Sequence, residues 1–267
     1  MRKHWRRYVL IVLAVAFLAA AVDAYFIEPY RIEVTHSFLA APILAPLRIA
    51  HLTYLHTRGL GRRERKLLTL LDQEKPDVIL ITGDSISGGS DELGIRPLLS
   101  RLRAPLGVWL VRGNWENEVK FRGERAFYSS LGVHFLLNEA HAIRPDVWVV
   151  GLDDLTGTPD FELADKAVPP GVYTIAMFHS PAYFDQIAGR VPLALSGHTH
   201  GGQVLLPPIP VFWLPRGSGR YLSGWYEEKG SKMYVSRGIG TSGLPIRFLC
   251  RPELAMITLV PEKVPEF

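Results

Sequence analysis

Two histidines flank one threonine in Gly197-His198-Thr199-His200-Gly201-Gly202-Gln203. If this stretch continues a strand, His198 and His200 point to the same side, because strand side chains alternate faces, and they can offer two imidazoles to one metal cluster. The glycines around them permit a sharp turn and leave room for an ion and a ligand. A lone His-X-His is more often an exposed turn than a metal site, so the rest of the chain decides. Four other short polar clusters each follow an apolar run: Thr53-Tyr54-Leu55-His56, Thr82-Gly83-Asp84-Ser85, Arg112-Gly113-Asn114-Trp115-Glu116 and Phe178-His179-Ser180. Taken together, His56, Asp84, Asn114, His179, His198 and His200 form a mixed nitrogen and oxygen donor set. Imidazole with carboxylate suits zinc, manganese or iron.

The elements that must carry these residues follow from periodicity. Strands are expected over 47–55, 77–82, 107–111, 147–152, 173–178, 193–195, 233–236 and 253–259. Helices are expected over 62–74, 91–102, 118–131 and 181–188. This alternation describes an α/β chain, and each polar cluster falls after a strand, where such sheets place ligands.

The order Gly-Asp, Gly-Asn, isolated His, Gly-His-X-His resembles the calcineurin-like metallophosphoesterases, and the Gly-His-Thr-His-Gly-Gly-Gln form resembles their membrane-associated branch. The resemblance implies a two-layer β-sandwich flanked by helices and two divalent metal ions that clamp a phosphate ester. In that arrangement Asp84 bridges the ions, His56 and His200 serve the first, and Asn114, His179 and His198 serve the second. The implied nucleophile is a metal-activated hydroxide, with both cations stabilising charge on the phosphoryl oxygens.

The sequence departs from that pattern twice. The first family motif is Asp-X-His, and here Tyr54 occupies the acid's position, leaving Asp84 as the one anionic ligand of the set. Trp115 stands where many relatives carry a histidine that assists the leaving group, a role worth about 10²–10⁴-fold. Its indole suits either stacking on a nucleobase or sugar, or a packed wall. Arg112 and Arg237 are candidate phosphate donors, with ordinary ion pairing as the default. Asp153 and Asp154 read more readily as turn residues than as a substitute acid, and Glu116 as a helix cap or a nearby acid. His51, His134 and His141 read as structural or exposed.

Residues 1–27 carry four basic side chains and then an apolar run about long enough to span a bilayer. The charge bias predicts a cytoplasmic N-terminus and a catalytic body on the far side of the cell membrane. A signal peptide cut after Ala24 is the alternative; Asp23 and the following Tyr25-Phe26 favour an uncleaved anchor. Residues 28–44 are expected as a juxtamembrane lead-in, and 45–267 as one domain with enough apolar content for a core. A single cysteine, Cys250, forms no internal disulfide. With 30 basic and 26 acidic residues the charge is too balanced to indicate nucleic acid.

The expected function is hydrolysis of a phosphate mono- or diester, with a phospholipid or nucleotide-linked lipid suggested by the anchor. The competing expectation, raised by Tyr54, is a relative that binds metal or phosphate without turnover. The oligomeric state leaves no trace in the sequence.

Overall fold

The structure, a computed structural model, describes residues 2–57, 59–86, 92–119, 123–211 and 213–262. Among these residues twelve strands form two six-stranded mixed sheets. In chain order they are β1 (Glu33–Ala41), β2 (Leu47–Leu52), β3 (Val78–Thr82), β4 (Val108–Val111), β5 (Val133–Leu136), β6 (Glu139–Arg144), β7 (Val147–Gly151), β8 (Tyr173–Met177), β9 (Leu193–Ser196), β10 (Gly224–Glu228), β11 (Ser231–Val235) and β12 (Glu253–Pro261). The first sheet runs β1-β12-β2-β3-β4-β5 and the second β10-β11-β9-β8-β7-β6.

Period-two alternation explains how the sheets stack. Leu47 and Ile49 of β2, Val78 and Leu80 of β3, and Trp109 and Val111 of β4 face Val147, Val149, Ile175, Met177, Leu193 and Leu195 of the second sheet, making one dry core between the layers. The alternate residues Ala50, Leu52, Ile79, Ile81, Val108 and Leu110 face outward. They are covered by helices α2 (Arg62–Glu74), α3 (Glu92–Leu99) and α5 (Glu124–Ser130). Outside the second sheet, α6 (Phe161–Asp165) and α7 (Phe184–Ile187) close a third cluster around Phe161, Phe178 and Phe184. Strands buried on both faces must be apolar throughout, which is why β3 reads Val-Ile-Leu-Ile-Thr without a polar break.

This is the helix-flanked β-sandwich the sequence implies, with differences in detail. The helix expected over 118–131 is two helices: α4 (Asn114–Val119) starts earlier, and α5 follows Gly123, whose φ of 75° breaks the helical path. Residue 91 of the helix expected over 91–102 and residues 120–122 of that expected over 118–131 lie outside the described residues. Within 28–44, expected as a lead-in, β1 pairs in parallel with β12 along nine residues. β5, β6 and β10 were also not expected from periodicity. β10 and β11 form a hairpin that turns at Lys229 and Gly230, both at positive φ.

Ahead of the body, α1 (Arg2–Val22) continues into residues 23–30. The span Trp5–Tyr30 is long and apolar enough to cross a membrane by length and composition. Its foot is bonded to the body: the Arg247 amide donates to the Ala24 carbonyl at 2.9 Å, and the buried Glu28 carboxylate accepts from the amides of Leu249 and Cys250.

Candidate metal centre

The strand ends β2, β3, β4 and β9 deliver residues of their polar clusters to one edge of the sandwich, where they line a cavity of about 610 Å³, and β8 brings His179 up beside Asp84 and His198. Getting them so close requires glycine. A Cβ on Gly113 would lie 2.2 Å from Asp84 Oδ1, and one on Gly197 would lie 2.1 Å from Thr53 Oγ1. Tyr54, His56, Asp84, His198 and His200 all adopt positive φ, five of the ten such non-glycine residues among those described. Left-handed backbone is costly for these types, so the strain concentrates at the site.

Asp84, His179 and His198 converge: one ligand atom from each lies within 4.8 Å of the others. Asp84 Oδ2 is 3.1 Å from His179 Nε2 and 3.5 Å from His56 Nε2. His198 Nδ1 is 3.0 Å from His179 Nε2. Backbone carbonyls on the far side of each ring fix which nitrogen is bare. His179 Nδ1 lies 2.7 Å from the Thr82 carbonyl and His198 Nε2 lies 2.7 Å from the Arg216 carbonyl, so each of these nitrogens carries the proton. The two remaining nitrogens then face each other and a carboxylate. That arrangement is repulsive until a cation stands between them.

Titration follows the same logic. Burial works to raise the Asp84 carboxyl, but His179 and His56 beside it hold it well below the usual carboxylate range. Against burial, the Asp84 charge pushes His179 up to about 9. Burial, with His179 adding to it, takes His198 down to about 4. Near neutral pH a proton therefore occupies the place that a metal would take. Asp84 Oδ2 and Asn114 Oδ1 are buried without a hydrogen-bond partner, as ligand atoms are when the ion is left out of account. The residues present fit a divalent ion held by Asp84, Asn114, His179 and His198.

The other half of the expected set is arranged differently. His198 and His200 do not share a strand face: β9 ends at Ser196, and His200 opens a short 3-10 turn. His198 faces His179, while His200 faces Tyr54 and hydrogen-bonds Gln203 Oε1 at 3.1 Å. The Tyr54 ring is wedged between the two remaining histidines, its centroid 3.9 Å from that of His56 and 3.3 Å from that of His200. Burial raises the Tyr54 hydroxyl far above its ordinary pKa, so it stays neutral. It lies beside Ser242 without a hydrogen bond of normal geometry. A ring, not a carboxylate, fills the space between His56 and His200.

Trp115 lines the cavity, edge-on to His56 at 5.6 Å. Arg112 does not reach it: the guanidinium is held by Glu124 and Asn117, with Asp153 at 3.7 Å. Arg237 is likewise taken by Glu33 and Glu253. Asp153 and Asp154 are turn residues, accepting from the amides of Thr158 and Thr156 at 2.9 Å.

Three residues support the site in ways that sequence reasoning missed wholly or in part. The buried Glu116 carboxylate accepts from the amides of Asp84, Ser85 and Gly113 and from the Ser85 hydroxyl, clamping the Gly-Asp loop to the Gly-Asn loop. As the third residue of α4 reaching back to the amide before the helix, it makes one arm of a capping box, the only part the sequence suggested. Gln203 orients His200 and donates to the Ser242 and Leu244 carbonyls. Arg247 is fully buried and donates to the carbonyls of His200, Arg237, Gly238, Gly240 and Cys250. The 236–242 loop it braces donates from Gly240 to the Tyr54 carbonyl, so it backs the first cluster.

A two-sheet sandwich with Asp, Asn and His donors at one edge defines a metallophosphoesterase, and the calcineurin-like phosphoesterase pattern matches residues 47–202. The chain belongs to that family. It is 30% identical over 286 residues to an uncharacterized metallophosphoesterase, YkuE, of Bacillus subtilis (strain 168), an alignment covering 97% of this chain and 99% of that protein. An uncharacterized metallophosphoesterase of Aquifex aeolicus (strain VF5) is 29% identical over 255 residues, 89% of this chain and 94% of that one. A transmembrane protein with metallophosphoesterase domain from Bos taurus is 28% identical over 245 residues, 82% of this chain and 54% of the bovine protein.

Proposed function

We propose that the chain is a membrane-anchored phosphoester hydrolase that works with a divalent ion held by Asp84, Asn114, His179 and His198. The observation that carries this reading is the convergence of His179 Nε2 and His198 Nδ1, 3.0 Å apart, beside the Asp84 carboxylate. When bound, such an ion polarises a phosphoryl oxygen and makes water nucleophilic near neutral pH. The chain's own groups do the rest. The Thr82 and Arg216 carbonyls hold the two imidazoles in register. The Trp115 indole and the Tyr54 ring line the cavity, and the neutral Tyr54 hydroxyl is a hydrogen-bond donor there.

The second ion of the family arrangement requires the Tyr54 ring to leave the space between His56 and His200. This favours a single firmly held ion, of zinc, manganese or iron. With indole at position 115, leaving-group protonation has no imidazole there, so substrates with good leaving groups react fastest. The four basic residues at the start of α1, ahead of its apolar run, support a cytoplasmic N-terminus and a body on the opposite side of the membrane.

The test is elemental analysis of the full chain, purified in detergent and loaded in turn with manganese, zinc and iron, together with hydrolysis of an aryl phosphodiester and an aryl phosphomonoester. One ion per chain, lost in Asp84→Asn, with hydrolysis of either ester, is the expected result. No bound ion sinks the reading. A bound ion without hydrolysis favours the second reading, a metal- or phosphate-binding relative, which rests on Tyr54.

A further inference from the structure

The mouth of the metal cavity is built from two apolar loops, and both are tied to the foot of the N-terminal helix. The first, residues 203–216, contains twelve consecutive apolar residues from Val204 to Pro215. It leaves the site at His200 and returns at Arg216, whose carbonyl holds His198. Leu206 and Trp213 on it are 48% and 75% exposed. An apolar stretch of about 10–14 residues reads as either a buried core segment or an interfacial one, and the exposure excludes the core.

The second loop, residues 241–250, carries Leu244 at 66% exposure and an exposed Leu249. A bridge between Val204 and Phe248 and the bond from the Leu205 amide to the Phe248 carbonyl join it to the first loop. Leu244 lines the metal cavity. Its neighbour Pro245 lines a separate cleft shared with Phe26 and Tyr30 of the helix foot. The second loop thus has the cavity on one side and the end of the membrane-length helix on the other.

That foot sets the level of whatever is bonded to it. Tyr25, Phe26 and Tyr30 are exposed there, as aromatic residues are at a bilayer boundary. The bonds from Arg247 to Ala24 and from Leu249 and Cys250 to Glu28 hold the second loop at the same height. Exposed apolar side chains contiguous over two loops are uncommon on a surface that meets only water. We infer that residues 203–211, 213–216 and 241–250 seat on the lipid bilayer, so that the metal cavity opens at headgroup level and takes the phosphate of a membrane lipid without the lipid leaving the membrane. The choice of substrate rests on the phosphoesterase reading; the seating does not.

The experiment uses the full chain in phosphatidylcholine nanodiscs, with Cys250→Ala as background and a polarity-sensitive fluorophore attached at Leu206→Cys, Leu244→Cys or the control Leu163→Cys, on α6. Probes at 206 and 244 are expected to shift to the blue and to be quenched by spin-labelled lipid, while the probe at 163 stays water-like. Emission and quenching at 206 and 244 equal to those at 163 would overturn the seating. For the substrate, Leu206→Ser with Ile209→Ser changes residues that do not line the cavity. Hydrolysis of a vesicle-embedded phospholipid is expected to fall about tenfold, with a soluble aryl ester changed less than about twofold. Equal losses on both, or seated probes with cleavage of the soluble ester alone, would overturn the lipid assignment. Failure to cleave either substrate with the probes seated would instead sink the phosphoesterase reading.

Discussion

The Tyr54 ring lies against the His200 imidazole with centroids 3.3 Å apart, filling the gap between His200 and His56. Replacing that ring by a carboxylate should open the gap and add a second anion. Tyr54→Asp is expected to raise the bound ions from one to two per chain under manganese. Turnover of an aryl phosphodiester should rise on the order of 10²-fold, ~2.7 kcal/mol of transition-state charge stabilisation. Tyr54→Phe, which keeps the ring, should leave the ion count unchanged in the same elemental analysis.

Glu116 holds two loops through one carboxylate, and no neutral side chain satisfies the same four donors. Glu116→Ala leaves buried amides unpaired and is expected to cost about 3 kcal/mol, or roughly 6–12 °C in Tm, measured by thermal melting in detergent. Glu116→Gln should be nearly as damaging, because its amide NH₂ must face an amide donor. Both variants should bind metal more weakly, since the Asp84 amide is one of the donors released.

Gly113→Ala tests the close approach directly. The added methyl would stand 2.2 Å from Asp84 Oδ1 and 2.4 Å from the Asp84 amide nitrogen, so the ligand must shift. The expected outcome is loss of the bound ion in elemental analysis and a destabilisation of about 1–3 kcal/mol.

His51 gives a pH dependence distinct from the metal ligands. It is buried, shares a 2.9 Å hydrogen bond with the Thr82 hydroxyl, and burial lowers its pKa to about 4, with Glu253 opposing. Its unfolded value is about 6.5, so between those two values the unfolded chain binds the extra proton. The stability from keeping His51 neutral is therefore complete above about pH 6.5 and declines as pH falls toward about 4, by about 3 kcal/mol in all. His51→Phe should flatten that part of the profile in urea unfolding, and the difference between the two chains isolates this residue.

The central strands were legible because they are buried on both faces, so apolar runs such as 78–82 have no competing reading. β1 was not, because an edge strand with alternating exposure, including an exposed Phe38, carries no such run. Its partner β12 lies some 220 residues away, and no local pattern announces that pairing. At the site, residue types and spacing picked out the cavity-lining Asp84, Asn114, Trp115, His198 and His200. They misjudged orientation: the alternation argument for His198 and His200 assumed a strand where the backbone turns through positive φ. Arg112 makes the ion pair expected as its default, but its partner Glu124 on α5 could not be named from spacing. Glu116, Gln203 and Arg247 act on backbone groups, which leave no signature in side-chain spacing.

β12 lies between β1 and β2 in the first sheet, bonded to both. During synthesis β1 and β2 emerge early and the strand that joins them about 200 residues later, so the sheet stays open for most of translation. The helix preceding β1 can engage a membrane long before that. The first sheet is therefore complete only once a late segment threads back between two early strands, which makes the C-terminal strand the lock of the fold: truncating it would strip β1 of its partner and leave β2 as an edge.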